Sequence, residues 1–371
     1  MLGRRRRRSG SATRVWLCSA PRVDIRLARP ELAPDAPAAL ARVLASGMLV
    51  QGALVERFER AIAERCARKH AIAVASGTSA LELAVEALGL RGARVAVPAL
   101  TWPSPAHALL VRGARPVLVD VSAHEWNVES LPSDVDAAIV IDQFGVPARH
   151  DRLRAKVVIE DAACAIDSTF GGKPCGSFGA IACLSFHPRK VLTTGEGGMC
   201  LADDDALAAR LRRLRNHGQS APGVFEEASG NHRLTELGAA LGLAQLETLG
   251  KTLARRRVLA DRYRRALEGS GLVLQRSPEG ATRNEQTFGV LAESEARRDA
   301  LIAHLASRRI EAGKLSYALG RLPSLASAER ASGLETSEQI VDRGLALPLH
   351  ASLTEDEIDR VIAAVREAQG A

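Results

Sequence analysis

Aromatic side chains are scarce in this chain: Phe, Tyr and Trp together make up 3% of its 371 residues. A surface that binds nucleic acid by stacking bases on aromatic rings is therefore not expected. The six cysteines (Cys18, Cys66, Cys164, Cys175, Cys183 and Cys200) include no C-x-x-C pair and no histidine at zinc spacing. That pattern points to free thiols in a reducing cytoplasm, with no disulfide framework and no metal site. No apolar run approaches the roughly 18 residues that a membrane-spanning helix requires, so no membrane association is expected. A secretory leader is not expected either, because SGSATRVWLCSAP, after the first arginines, is too short and too mixed for an apolar signal core.

The net charge is +7, but it is unevenly placed. Residues 1–30 hold nine arginines, including the run Arg4–Arg8, against the single acid Asp24. The rest of the chain is close to neutral and offers no basic footprint for nucleic acid. The arginine run reads as a disordered leader, a targeting signal or a binding arm. Hydrophobic residues at 46% and charged residues at 25% are ordinary for a globular protein, and the length suffices for two domains.

From Pro30 onward, helical and strand patterns alternate. DAPAALARVLA and ALVERFERAIAERCA have helical apolar spacing and flank the glycine-bounded turn SGMLVQG. AIAVAS, RVAVPA, ARPVLVDV, AAIVIDQF and KVVIEDA are short apolar strands separated by helical stretches. This order predicts βαβ units and an α/β fold with a mostly parallel sheet. A long alanine- and leucine-rich helix beginning at ELGAALGLAQLE then leads to a smaller C-terminal part, closed by TEDEIDRVIAAVREA with Thr354 as its N-cap. The expected division is a basic tail over 1–29, a large domain over 30–254 and a small α+β domain over 255–371.

Three stretches carry chemistry. SGTSAL (76–81) turns from strand to helix through Gly77, so that backbone N–H groups and the Thr78 hydroxyl form an anion site or simply a helix cap. VVIEDAA ends a strand in Glu160 and Asp161, at the carboxyl edge where open α/β sheets bind ligands. Such a carboxylate needs either a protonated ring nitrogen or a neighbouring loop to cap. LSFHPRKVLTTGEGGMCLAD sets Lys190 between a strand and a glycine-rich turn, as a solvated loop residue or as a Schiff-base amine. Phosphate cradle, acid and amine together are what pyridoxal 5'-phosphate requires.

These stretches, together with SGMLVQGALVERFE, VAVPALTW, GARPVLVDVSAHEWNVE, GNHRLTELGAALGLAQLE and LALPLHASLTEDE, resemble the DegT/DnrJ/EryC1/StrS family of pyridoxal-phosphate sugar aminotransferases. The resemblance covers nearly everything from Pro30 onward, and FHP-x-K followed by TTGEGGM is its most specific part. It implies fold type I, the aspartate aminotransferase fold, with a large domain carrying the parallel sheet. It implies Lys190 as the aldimine lysine and proton carrier, Asp161 on the pyridine nitrogen and Trp102 stacked on the ring. Thr78, Ser79 and Ser185 would cradle the phosphate, and Asn231 would reach across to the phosphate of a homodimer partner. The implied reaction moves an amino group, expected from L-glutamate, to the keto group of a nucleotide-activated deoxysugar, with C4 favoured over C3. Two alternatives stand beside it: a keto-cyclitol or other secondary-metabolite ketone as acceptor, and a non-catalytic scaffold that keeps the fold.

Cations for the substrate's phosphates are sought among His187, Arg189, Arg233, Lys314 and the Arg321 loop. The chain also departs from the family pattern. Cys164 stands where Gln or His is common near the cofactor's hydroxyl, Val191 replaces an Asn, and Asp142–Gln143 stands where a His is usual. His107 and Asp167 replace Asn and Gly.

Overall fold

The structure is a computed structural model and describes residues 23–370. The arginine run and Cys18 lie outside the described residues. The expected tail over 1–29 stops earlier than that boundary, because the Asp24 and Ile25 amides both bond the Arg309 carbonyl and Ile25 is 1% exposed. Ile25 is pinned there by apolar burial among the small-sheet residues, so the segment is docked from Asp24 onward.

Seven strands form the body of the large sheet: β1 (His70–Val74), β2 (Arg94–Pro98), β3 (Arg115–Val119), β4 (Ala137–Ile141), β5 (Val157–Asp161), β6 (Ile181–Ser185) and β7 (Gly198–Ala202). Their spatial order is β1-β7-β6-β5-β4-β2-β3, with the short strand Glu329–Arg330 on the far edge. All pairings are parallel except those of β7, which runs antiparallel between β1 and β6. The near-continuous burial of these strands is what a sheet covered on both faces demands, and it explains their Val/Ile/Ala composition.

Helices cover both faces. Those the site uses are α1 (Ala36–Ser46), α2 (Ala53–Arg65), α3 (Gly77–Ala87), α4 (Ser104–Val111), α5 (Asp205–Arg215) and α6 (Glu236–Ala266). The last is one 31-residue rod, capped by Thr235, whose side chain accepts the Gly238 amide. Its first half packs beside the large sheet through Ala239 and Leu249. Its second half supplies Leu259, Ala260 and Tyr263 to the core of a four-stranded antiparallel sheet. That sheet holds Val273–Leu274, Phe288–Leu291, Gly344–Leu347 and Gly313–Lys314, in this spatial order. The closing helix Glu355–Gln369 begins with a full capping box between Thr354 and Glu357.

Candidate active site

The parallel strands end at one edge, and β7 brings two of those ends together. Gly198 pairs with Val74 of β1 on one side and with Ser185 of β6 on the other. The space is tight: a Cβ on Gly77 would fall 2.8 Å from the Ser185 Cβ, and one on Gly198 would strike the Ser76 carbonyl. Glycine at both positions lets the start of α3 lie directly against Ser185. Ser76 caps α3 by accepting the Ser79 amide at 3.0 Å, and its hydroxyl lies 3.0 Å from that of Ser79. The Thr78 hydroxyl is 2.9 Å from Ser104 at the start of α4. The first amides of α3 have no intrahelical acceptors and carry the positive end of the helix dipole. Thr78, Ser79 and Ser185 therefore lie together at a helix N-terminus, the kind of place where backbone amides and the helix dipole favour an anion.

Two strands over, β5 ends in the two acids, and strand alternation sends them opposite ways. Glu160 accepts the amides of Gly176 and Phe178 at 2.6 and 2.7 Å, so it staples a loop and does not line the edge. Its carboxyl is pushed well above the usual range, first by burial and then by the neighbouring Asp142 carboxylate. Asp161 faces the edge, 5% exposed, with the Ala163 amide at 3.0 Å as its side chain's hydrogen-bond partner. Burial pushes its pKa up to about 6, while the Ala163 amide and the charge of Lys190 hold it down. This is a carboxylate short of a cation.

Lys190 sits in the loop after β6. The loop is closed by Phe186 N–H donating to Gly197 at 2.8 Å and by Thr194 N–H returning to Phe186 at 3.0 Å. Its ammonium meets the Cys164 sulfur at 3.0 Å, three residues beyond Asp161. The structure thus brings Lys190, Cys164 and Asp161 into one cluster.

The remaining expected residues are arranged less compactly. Trp102 is 56% exposed and meets Tyr317 edge to face at 5.2 Å, a contact that pairs Leu100–Thr101 with Tyr317–Ala318 and that sequence reasoning missed. Asn231 is exposed and bonds the Arg233 amide at 3.3 Å, while His232 and Arg233 pair with the end of β1. The Arg233 guanidinium is committed to the Asn216 side chain. His187 accepts the Arg189 amide on Nδ1 at 3.1 Å, and burial lowers its pKa. Lys314 is exposed on the edge strand of the small sheet, and among the described residues its ammonium makes no polar contact with the cluster. The Arg321 loop offers no free cation, since its guanidinium forms ion pairs with Asp342 at 2.5 Å and Glu338 at 3.2 Å. Opposite charges one helix face away have claimed it.

Comparison with known proteins adds to this geometry. The sequence profile of the DegT/DnrJ/EryC1/StrS aminotransferase family matches residues 30–366. The chain belongs to that family. Over 338 residues it is 36% identical to the GDP-perosamine synthase of Caulobacter vibrioides, covering 85% of this chain and 90% of that protein. The corresponding Vibrio cholerae enzyme is 30% identical, with 84% and 89% covered. Among solved structures, S. venezuelae DesV in complex with a ketimine intermediate aligns with a TM-score of 0.87 and 31% identity, covering 95% of this chain and all of that one.

The chain is a pyridoxal-phosphate-dependent aminotransferase of fold type I. As a member of this DegT-type family, it offers a site that fits the cofactor on its own terms. The buried Asp161 carboxylate wants a cation of the kind a protonated ring nitrogen supplies. The crowding at Gly77 leaves no room for a side chain between the start of α3 and Ser185.

Proposed function

We propose that this enzyme transfers an amino group from L-glutamate to the keto group of a nucleotide-activated deoxysugar, at C4 in preference to C3. The observation that carries the reading is the meeting of the Lys190 amine with the Asp161 turn beside a helix-start phosphate cradle. The relatives named GDP-perosamine synthase support the substrate class. When bound, the cofactor supplies an aldehyde that exchanges amines and a ring that takes up electrons.

Each residue has a task. Lys190 would provide the amine for the aldehyde and would serve as the base and acid that moves the proton. Asp161 holds the proton on the ring nitrogen, which its burial makes favourable because the two charges compensate one another. Thr78, Ser79 and Ser185 would hold the phosphate, and Trp102 would stack on the ring. Cys164 would stand near the cofactor's hydroxyl, as a weaker hydrogen-bonding group than an amide. Asn231, exposed beside the end of β1, reaches the phosphate of a second copy. A homodimer with shared sites is supported by the exposed apolar residues Met48, Val50 and Phe225, at 64%, 60% and 62%. His187, Arg233 and Lys314 serve the nucleotide end. The division into a phosphate-binding large domain and a small domain falls within α6, near residue 254. Among the described residues no helix is long and apolar enough to cross a membrane, and the cysteines described are free, which supports a cytoplasmic enzyme.

The test is spectroscopic. Adding L-glutamate to the loaded enzyme should bleach the visible band of the bound cofactor, and a GDP-linked 4-keto deoxysugar should restore it. Restoration by a 3-keto sugar or a keto-cyclitol alone would overturn the assignment. Lys190→Ala should lose both the band and all transamination while remaining dimeric.

A further inference from the structure

A three-residue segment ahead of the strand Phe288–Leu291 grips the site from the small-sheet side. Gln286, 9% exposed, accepts the Val191 amide on Oε1 at 3.0 Å and donates from Nε2 to the Arg189 carbonyl at 2.7 Å. One amide group thus holds the backbone on both sides of Lys190. Asn284, with no exposed surface, donates from Nδ2 to the carbonyls of Cys164 at 2.9 Å and Ile166 at 2.8 Å. Its Oδ1 accepts the Gln286 amide at 2.9 Å, which joins the two grips. Between them, Glu285 is 2% exposed at φ +58°, a conformation L-residues avoid. The surroundings over-determine it: Arg256 donates to the Glu285 carbonyl at 2.7 Å and to the Gln286 carbonyl at 2.8 Å.

We propose that Gln286 and Asn284 are positioning residues for the transamination, fixing the Lys190 loop and the turn after Asp161 at one separation. The inference rests on Lys190 and Asp161 having the roles given above. Lys190 must return to the same place after every turnover; Gln245 holds the loop further on, at Thr193, whereas Gln286 holds the residues that flank Lys190 itself. Small displacements of reacting groups are costly in rate. Neither residue touches the reacting atoms; each acts through backbone.

The test compares Gln286→Met, which keeps the volume and removes both bonds, with Gln286→Glu, which keeps the acceptor and loses the donor. Both variants should load cofactor and remain dimeric. In cofactor-free protein, amide exchange in the peptide spanning 186–197 should quicken in Gln286→Met. In loaded protein without amino donor, the pH midpoint of the cofactor absorbance should move, and the glutamate half-reaction should slow at least tenfold. Gln286→Glu should recover part of each loss. If Gln286→Met fails to fold, the same readings on Gln286→Glu decide. Wild-type exchange, midpoint and half-reaction rate in a variant that lacks the bonds would overturn the proposal, provided Lys190→Ala is inactive. An active Lys190→Ala would instead bring down the functional reading beneath it.

Discussion

Replacing Asp161 with Asn should make the cofactor-free protein more stable, by an amount that grows as pH rises past 3.8 and is complete above pH 6. The Asn side chain has the same shape and can keep the Ala163 amide bond of 3.0 Å. What it removes is a buried charge. Burial lifts the Asp161 pKa from 3.8 to about 6 in the folded chain. Below pH 3.8 the carboxyl is neutral in both folded and unfolded chains and contributes nothing. Between there and pH 6 the unfolded chain releases its proton first, so stability falls as pH rises. Above pH 6 the full cost applies, about 3 kcal/mol for a shift of about two units. Urea unfolding of cofactor-free wild type and Asp161→Asn should therefore differ by about 3 kcal/mol at pH 8 and by about half that near pH 5. Saturating cofactor should reverse the ranking at pH 8, since a protonated ring nitrogen stabilises only the carboxylate. Equal stabilities at pH 8, or an offset independent of pH, would refute the argument that Asp161 is an uncompensated buried charge awaiting a cation.

Other outcomes follow from the same geometry. Gly77→Ala should lower cofactor affinity at least tenfold by titration, because its Cβ would lie 2.8 Å from that of Ser185 and must displace the cradle, an overpacking cost of about 1–3 kcal/mol. Asp167→Gly should leave the unfolding free energy within about 1 kcal/mol: it relieves a φ of +62° and loses the partly buried ion pair with Arg65, effects of opposite sign and similar size. Removing residues 1–22 should leave the transamination rate unchanged. Extending the deletion through Ile25 should cost about 2 kcal/mol in denaturant unfolding, the value of a fully buried isoleucine.

Most of the site's chemistry was legible because it lies in contiguous runs whose local rules are strong. The strand-to-helix turn at Ser76–Ser79 is visible as small hydroxyl residues around a glycine after an apolar run, and the structure places it at a sheet edge. Lys190 stands out between an apolar strand and a glycine-rich turn. Strand alternation could have separated Glu160 from Asp161 in advance: with the apolar run buried on both faces, one of two adjacent acids must turn away from the edge, and Glu160 does so to hold Gly176 and Phe178. The helix expected after ELGAALGLAQLE runs unbroken to Ala266, since alanine, leucine and arginine support helix throughout and no proline interrupts them.

The residues that escaped notice share a different property: their partners are distant in sequence and bond through the main chain. Nothing in TRNEQTF marks Gln286 as the holder of Arg189 and Val191, roughly a hundred residues earlier, because a backbone amide or carbonyl leaves no imprint on residue type at the far end of the bond. Arg321 illustrates the converse error. An arginine in a loop looks like a phosphate ligand until the fold brings Glu338 and Asp342 against it, and a cation so neutralised has little attraction left for a nucleotide. Cys164 lies between these cases: the resemblance puts it near the cofactor's hydroxyl, but its contact with Lys190, 3.0 Å from its sulfur, comes only from the fold. Sulfur is a weak acceptor for the lysine ammonium, which leaves the lysine's position more dependent on backbone anchorage. The two-sided grip of Gln286 on Arg189 and Val191 is placed to supply that anchorage.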